Sequence, residues 1–196
     1  LPLSSGIGGG SADAAATLKG LNKHWDLGLS LAELSTLGAK LGADVPMCLQ
    51  GQPLIAKGIG EIIEPLDGFL QLHLLLVNPG VAVSTPAIFK ALANKENGGL
   101  PLISPLAGEM SRSDRGGRLA RYFAQYLSTT RNDLQPPALN LQPIIADAIT
   151  ALEHSGALFA RMSGSGATCF GIFADRDAKD SAKAAVAKAH PDWWIG

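Results

Sequence analysis

Apolar residues recur at three- and four-residue intervals just after a glycine-rich stretch near the start of the chain. Residues Ser11 to Trp25 are rich in alanine and contain no proline, which favours a helix. Its apolar positions share one predicted face: Ala14, Leu18, Leu21 and Trp25. Because Gly10 directly precedes this segment, we predict that the glycine-rich loop and the helix form one unit.

A second helix is predicted by a capping box. Ser30 followed three residues later by Glu33 is a typical helix start, and Gly42 is a typical helix stop. The expected buried stripe consists of Leu34, Leu37 and Leu41.

Two further segments are typical of β-strands. Leu54 to Leu66 contains Gly58 and Gly60 and predicts two short strands around a hairpin. Leu70 to Val77 is almost continuously apolar, with His73 inside it, and predicts a buried strand that ends before Pro79.

The second half of the chain alternates helix and strand patterns. We predict a short helix over Ser84–Ala93, a long surface loop over Asn94–Gly117, a strand over Thr168–Phe173 and a helix over Ala178–His190. A further amphipathic helix that Gly156 can end is indicated by Leu141, Ile144, Ile145, Ala148, Ile149 and Leu152. Such alternation implies a layered α+β architecture.

Composition narrows the possible partners. The chain has 196 residues, of which 46% are hydrophobic, so it can bury a core as one domain or two small ones. A formal net charge of −1 gives no general attraction for nucleic acid or anionic membranes. No apolar run approaches the roughly 18 residues of a spanning helix. Cys48 and Cys169 form no ligand or redox motif, and we expect core thiols and a cytoplasmic location.

The glycine-rich stretch Gly6-Ile7-Gly8-Gly9-Gly10-Ser11 is the first candidate for chemistry. Glycines at a helix start let backbone N–H groups approach an anion such as a nucleotide phosphate. The dinucleotide fingerprint fails in both registers, and no Gly-Lys pair exists for a Walker A loop. A flexible turn rich in small residues is the alternative.

Two other segments are weaker alone. Asp44, just after the second helix, is a possible base or metal ligand, although a turn or capping role is commoner for such a residue. Met162 to Thr168 offers backbone and hydroxyl donors, or is a plain hairpin loop. The four histidines and the serines match no zinc-hydrolase or serine-hydrolase spacing.

Together the three segments resemble the motifs of the GHMP kinase superfamily of small-molecule kinases, in the same order along the chain. Intervening stretches resemble one branch of it, notably 58–61, 79–81, Ser84-Thr85 and 132–134. The resemblance implies a two-domain fold: a nucleotide domain over 1–68 and a ferredoxin-like C-terminal domain over 69–196, with an insertion at 94–117.

The resemblance also implies an activity and its residues. It predicts ATP-dependent phosphorylation, with Mg²⁺ on the phosphates, of the 2-hydroxyl of a cytidine-diphosphate-linked methylerythritol, in the non-mevalonate route to isoprenoid precursors. Asp44 is the expected base. The expected ATP-binding residues are Pro2, Leu3, Ser4, Ser5, Gly6, Ile7, Gly8, Gly9, Gly10, Ser11 and Ala12. The expected substrate contacts are Thr85, Phe89, Ser163, Gly164, Ser165 and Gly166.

The family pattern includes a lysine near the N-terminus that pairs with the catalytic aspartate, and no such residue precedes the glycine-rich stretch here. We therefore expect a fragment that is inactive by itself, from a protein that is a monomer or homodimer. Another GHMP kinase and a non-catalytic nucleotide-binding protein remain the alternatives.

Overall fold

A computed structural model describes residues 6–58, 60, 62–66, 69, 71–92, 94, 99 and 117–196. Internal contacts divide the described residues into two units. The N-terminal unit comprises Gly8–Phe69, and the C-terminal unit comprises the described residues among 1–7 and 70–196. The predicted domain boundary at residue 68 stays a prediction.

Three helices and a hairpin form the N-terminal unit. Helix α3 packs against both α1 and α2, and the small core consists of Ala15, Leu34, Val45 and Leu49. The elements are α1 (Gly9–His24), α2 (Leu31–Ala39), α3 (Val45–Gln50), β1 (Leu54–Lys57) and β2 (Ile62–Pro65).

The capping box of α2 is present as predicted. The Ser30 hydroxyl accepts from the N–H of Glu33, and the Glu33 carboxylate accepts from the N–H of Ser30 at 2.8 Å. The Ser30 hydroxyl also donates to the Glu33 carboxylate at 2.7 Å, and this bond, with the one from the Ser30 N–H, holds the pKa of Glu33 below its usual value. The helix ends at Ala39, three residues before Gly42.

The predicted apolar stripe of α2 is wrong beyond Leu34. Leu37 and Leu41 are exposed, by 40% and 65%, whereas Gly38 is buried. A Cβ atom at Gly38 would lie 2.8 Å from Cγ1 of Val45, so α3 approaches α2 along the face of Leu34 and Gly38. These two residues are four apart, one turn along the same face.

Helix α1 begins at Gly9, so two of the glycines belong to the helix itself. It ends at His24, and the side chain of Trp25 beyond it is 60% exposed. The predicted apolar face is therefore buried only in part, around Ala15.

The predicted hairpin is confirmed. Strands β1 and β2 pair antiparallel, with Leu54 opposite Pro65 and Lys57 opposite Ile62. The turn uses the positive φ angles of Gly58 (67°) and Gly60 (110°), which glycine adopts without the strain of a side chain.

The C-terminal unit contains one four-stranded antiparallel sheet in the order β4-β5-β3-β6. Helices connect the strands in a β-α-β-β-α-β succession, which is the ferredoxin-like topology that the resemblance predicts. The elements are β3 (His73–Asn78), α4 (Thr85–Lys90), α5 (Arg118–Ser128), α6 (Gln135–Leu141), α7 (Ile144–His154), β4 (Phe159–Met162), β5 (Cys169–Phe173), α8 (Arg176–Ala189) and β6 (Trp194–Ile195).

Helices α7 and α8 pack on one face of this sheet and form the main core with it. Fully buried members include Leu75, Ile145, Leu152, Phe173 and Cys169. Burial raises the pKa of the Cys169 thiol to about 12. This cysteine is a core thiol as predicted, whereas Cys48 in α3 is only half-buried.

Several predicted boundaries differ from the structure. Leu141 belongs to α6 and not to α7, because Pro143 lies between the two helices. Its side chain is 54% exposed. His73 is half-buried at the first position of β3. The sequence patterns do not predict helices α3, α5 and α6 or strands β4 and β6. The loop prediction over Asn94–Gly117 falls almost entirely outside the described residues.

The part of the chain that the structure describes contains no helix with the length and apolar character needed to cross a bilayer.

Candidate functional site

The start of α1 has the properties of an anion-binding helix end. Gly8 occupies the N-cap position with φ 68°, and no side chain caps the helix. The first intrahelical bond runs from the N–H of Ala12 to the carbonyl of Gly8 at 2.8 Å. The N–H groups of Gly9, Gly10 and Ser11 therefore lie in the first turn, where helical N–H groups have no intrahelical acceptor. No acidic residue opposes the positive end of the helix dipole there.

Space above this helix start is open. A Cβ atom at Gly10 would meet no atom of the described residues within 4 Å, and Gly10 is exposed. Packing among the described residues therefore does not require glycine at this position, and helix propensity disfavours it. Close approach of a ligand to the backbone would explain it.

Asp44 occupies the N-cap position of α3 but does not cap it. Its side chain is exposed and has no hydrogen bond or ion pair with any of the described residues. Burial raises the pKa of the Cys48 thiol, which lies one turn further along the chain, and the charge of the nearby Asp44 carboxylate raises it as well. Asp44 thus presents an unengaged negative charge to solvent.

The hairpin turn lies against the residue before Asp44. A Cβ atom at Gly60 would lie 3.1 Å from the carbonyl oxygen of Ala43. The glycine therefore permits close contact between the hairpin and the backbone that leads into α3.

In the C-terminal unit, Ser163 to Ala167 form the loop between β4 and β5, here called the 163–167 loop. The N–H of Ser163 donates to the carbonyl of Thr168 at 2.8 Å, and the N–H of Gly166 donates to the carbonyl of Ser163 at 2.9 Å. Gly164 (φ 52°) and Gly166 (φ 88°) adopt left-handed backbone conformations. The predicted loop is therefore a tight, internally bonded turn.

Gly6 packs directly against this loop. The hydroxyl of Ser163 donates to the carbonyl of Gly6 at 2.9 Å. A Cβ atom at Gly6 would lie 2.6 Å from the carbonyl oxygen of Gly166 and 2.7 Å from that of Ser163. The structure thus brings one predicted ATP-binding residue into contact with the predicted substrate loop.

Helix α4 contacts the same loop from another direction. The hydroxyls of Thr85 and Ser165 are 2.7 Å apart and share a hydrogen bond. Phe89 follows on α4 with its side chain 49% exposed. Thr85 and the loop therefore form one polar cluster, while Phe89 presents a free aromatic surface.

The remaining predicted site residues have no resolved role. Ile7 lies between Gly6 and Gly8 and is half-buried. Pro2, Leu3, Ser4 and Ser5 are outside the described residues. Within the ranges that the structure describes, no group of three His, Cys, Asp or Glu side chains could hold a metal ion.

Sequence reasoning missed two polar residues in and next to the loop's supports, of which Asn78 is buried and Asn132 is half-buried. Asn78 is 2% exposed and donates through Nδ2 to the Thr168 hydroxyl at 2.8 Å. Asn132 contacts the loop itself. Asn132 lies in a stretch that resembles the family, but no local pattern indicated its contact 32 residues away.

Comparisons of the sequence and of the structure with known proteins point to the same group of kinases. The model of the GHMP kinases N terminal domain matches residues 1–52, and that of GHMP kinases C terminal matches residues 106–192. Curated proteins named 4-diphosphocytidyl-2-C-methyl-D-erythritol kinase are similar over the whole chain. The one from Agrobacterium fabrum (strain C58) is 50% identical, and the one from Chelativorans sp. (strain BNC1) is 47% identical.

The chain spans 62% and 63% of the lengths of these two relatives. A crystal structure of 4-(cytidine 5'-diphospho)-2C-methyl-D-erythritol kinase is also similar, with a TM-score of 0.74 and 29% identity. That match covers 100% of this chain and 67% of the solved one.

Proposed function

This chain belongs to the GHMP kinase family, and we propose that it serves the transfer of the ATP γ-phosphoryl group to the 2-hydroxyl of 4-diphosphocytidyl-2-C-methyl-D-erythritol. The sequence identity of 50% with a curated kinase of that name, across the entire chain, is the observation that carries the choice of substrate. This reaction belongs to the non-mevalonate route to isoprenoid precursors, and we propose a cytoplasmic location for it.

The start of α1 is the proposed site for the ATP phosphates. Phosphoryl transfer depends mainly on positioning and on stabilising the charge of the transferred group. The free first-turn N–H groups of Gly9, Gly10 and Ser11 supply donors of fixed direction, and the open space at Gly10 leaves room for a phosphate. The proposed ATP-binding segment runs from Pro2 to Ala12.

Asp44 is the proposed general base. Its exposed carboxylate is engaged neither in capping α3 nor in a salt bridge with a described residue. It can therefore accept the proton that the 2-hydroxyl loses as the oxygen attacks the γ-phosphorus. The bond from that phosphorus to the bridging oxygen breaks, and ADP leaves.

Mg²⁺ would neutralise phosphate charge during this transfer. Because the described residues include no three-ligand cluster, the ion fits a site in which the nucleotide phosphates supply most ligands.

We propose that Thr85, Phe89 and Ser163–Gly166 contact the acceptor. The ring of Phe89 is half exposed, and an exposed aromatic face can stack on a pyrimidine base. The hydroxyl pair of Thr85 and Ser165 and the N–H groups of Gly164 and Ser165, which have no acceptor among the described residues, can donate to phosphate or sugar oxygens.

The test is acceptor-dependent ADP release by the full-length product of the gene, with wild type, Asp44→Asn and Asp26→Asn. Asp26 is an exposed turn residue, so its variant makes the same charge change away from the proposed base. Loss of a general base predicts a fall in kcat of about 10²- to 10⁴-fold for Asp44→Asn, and none for Asp26→Asn.

Three outcomes would contradict the proposal. ATP binding without ADP release would indicate a non-catalytic nucleotide-binding protein. Faster turnover with homoserine or mevalonate would indicate a different small-molecule kinase. An unchanged kcat in Asp44→Asn would remove Asp44 as the base.

A further inference from the structure

The side chain of Asn132 is saturated by three backbone contacts that join two distant parts of the C-terminal unit. Its Nδ2 donates to the carbonyls of Met162 at 2.9 Å and of Gly164 at 2.8 Å, and its Oδ1 accepts from the N–H of Leu134 at 3.0 Å. A carbonyl oxygen can accept a hydrogen bond only from the NH₂ end of the Asn132 amide, so the two carbonyl partners fix which end of the amide faces them.

One of these bonds determines which way a peptide of the 163–167 loop faces. The Gly164–Ser165 peptide is trans and planar, so its C=O and N–H point in opposite directions. With the carbonyl of Gly164 bonded to Asn132, the N–H of Ser165 points away from Asn132. No acceptor for this N–H is present among the described residues.

The loop needs such a restraint because of its glycines. Gly164 adopts φ 52°, and glycine visits left-handed and right-handed backbone regions about equally readily. Because Gly164 lacks a Cβ atom, rotation of the Gly164–Ser165 peptide meets less resistance on the Gly164 side, where it changes ψ, than at Ser165, whose φ it also changes. The Asn132 bond stabilises one of its two orientations.

Neighbouring contacts hold the adjacent strand but not the loop. The Arg161 guanidinium donates to the carbonyls of Leu127 and Thr130, and Gln135 Oε1 accepts from the N–H of Met162. Both interactions anchor β4. Of the described side chains between α5 and α6, Asn132 is the one bonded to a carbonyl within the loop.

We propose that Asn132 is a positioning residue that orients the Gly164–Ser165 peptide so that the Ser165 N–H faces the acceptor, the substrate that receives the phosphoryl group. This inference rests on the proposed function, because it assigns the loop to acceptor binding. Asn132 acts through the loop and does not touch the acceptor.

The first test measures amide hydrogen exchange in wild type, Asn132→Asp and Asn22→Asp. The ionised carboxylate that Asn132→Asp introduces cannot donate to the two carbonyls and repels them. Asn22 is a matched control, because its amide likewise bonds the backbone N–H and carbonyl of one residue, Leu29, in the N-terminal unit. We expect at least tenfold faster exchange within residues 163–168 for Asn132→Asp alone.

The second test compares acceptor and ATP kinetics in the full-length gene product. A misplacement of about 1 Å can cost about 100-fold in catalytic efficiency, so Asn132→Asp should lower kcat/KM for the acceptor by about that factor. The KM for ATP should change less than threefold. If Asn132→Asp does not fold, Asn132→Ser keeps one hydroxyl donor and should give a smaller shift of the same kind.

Unchanged loop exchange would overturn the inference. So would equal losses for ATP and the acceptor, or similar losses in Asn22→Asp, since these indicate general destabilisation. If wild type phosphorylates no acceptor, the proposed function fails, and hydrogen exchange alone decides whether Asn132 orients the loop.

Discussion

The glycines in and against the 163–167 loop and those at the start of α1 occupy their positions for opposite reasons. At Gly6 and Gly164, backbone atoms of the same unit would lie within 3.0 Å of an added Cβ atom, and at Gly166 the sulfur of Met162 would lie 2.7 Å from it. At Gly8 and Gly10, around the start of α1, an added Cβ atom would meet nothing within 4 Å. Packing requires glycine at the first set of positions, whereas space is left beside the backbone at Gly8 and Gly10.

This difference separates glycines that packing requires from glycines for which we propose a bound ligand, without reference to other sequences. Gly8 still requires its positive φ, but Gly10 is helical and exposed. An alanine there would satisfy the helix better, by about 1 kcal/mol. At the start of α1, we therefore propose that a bound ligand, and not packing, is the reason for the glycine at position 10.

The largest effect on stability should come from Gly6→Ala. Its Cβ would clash with backbone oxygens and would be held at φ 70°. Gly156→Ala is the control, because Gly156 has φ 91° and open space. Left-handed strain costs about 1–2 kcal/mol, and overpacking adds about 1–3 kcal/mol at Gly6 alone. Urea unfolding would measure both, and equal losses would break the comparison.

The two cysteines sharpen the contrast between the units. Burial raises the pKa of Cys169 from 9.0 to about 12. Between these pH values the native thiol keeps its proton while the unfolded thiol loses it, so stability falls as pH rises, by about 1.4 kcal/mol per unit.

Urea unfolding at pH 9, 10 and 11 should approach this slope in wild type and show a shallower one in Cys169→Ala. The matched variant Cys48→Ala should keep most of it, because Cys48 is only half-buried. Identical slopes in wild type and Cys169→Ala would contradict the assignment of a buried thiol.

A smaller effect is expected where a helix start is satisfied by its own side chain. Helix α2 is capped by Ser30, whereas α1 has no side-chain cap. Ser30→Ala should cost about 1 kcal/mol in thermal or urea unfolding and should leave ATP affinity unchanged. The comparison requires that capping of α2 and nucleotide binding at the start of α1 are independent. A weaker affinity for ATP in Ser30→Ala would contradict this.

Local patterns predicted much of the fold. The capping box of α2, the β1–β2 hairpin and β5 follow from neighbouring residues, and each is present. The missed elements depend on partners far along the chain. Strand β6 has two residues and is defined by pairing with β3. Helix α6 begins with Gln135 and two prolines, which do not give an apolar period.

Burial was harder to predict than secondary structure. Periodicity placed Leu37 and Leu41 on the buried face of α2, but the close approach of α3 at Gly38 selects a different face. Likewise, the sequence indicated the 163–167 loop but not its supports. Asn78 and Asn132 act through contacts 90 and 32 residues away, which no local pattern contains.

The most direct test of the account compares ATP binding by wild type, Gly10→Ala and Gly20→Ala, using calorimetry with matched unfolding curves. Gly20 lies in the same helix, and its added Cβ atom would also meet nothing within 4 Å. Both variants should be as stable as wild type or up to about 1 kcal/mol more stable. The account predicts that only Gly10→Ala weakens ATP binding, by tenfold or more, whereas equal ATP affinity in all three proteins would contradict a phosphate site at the start of α1.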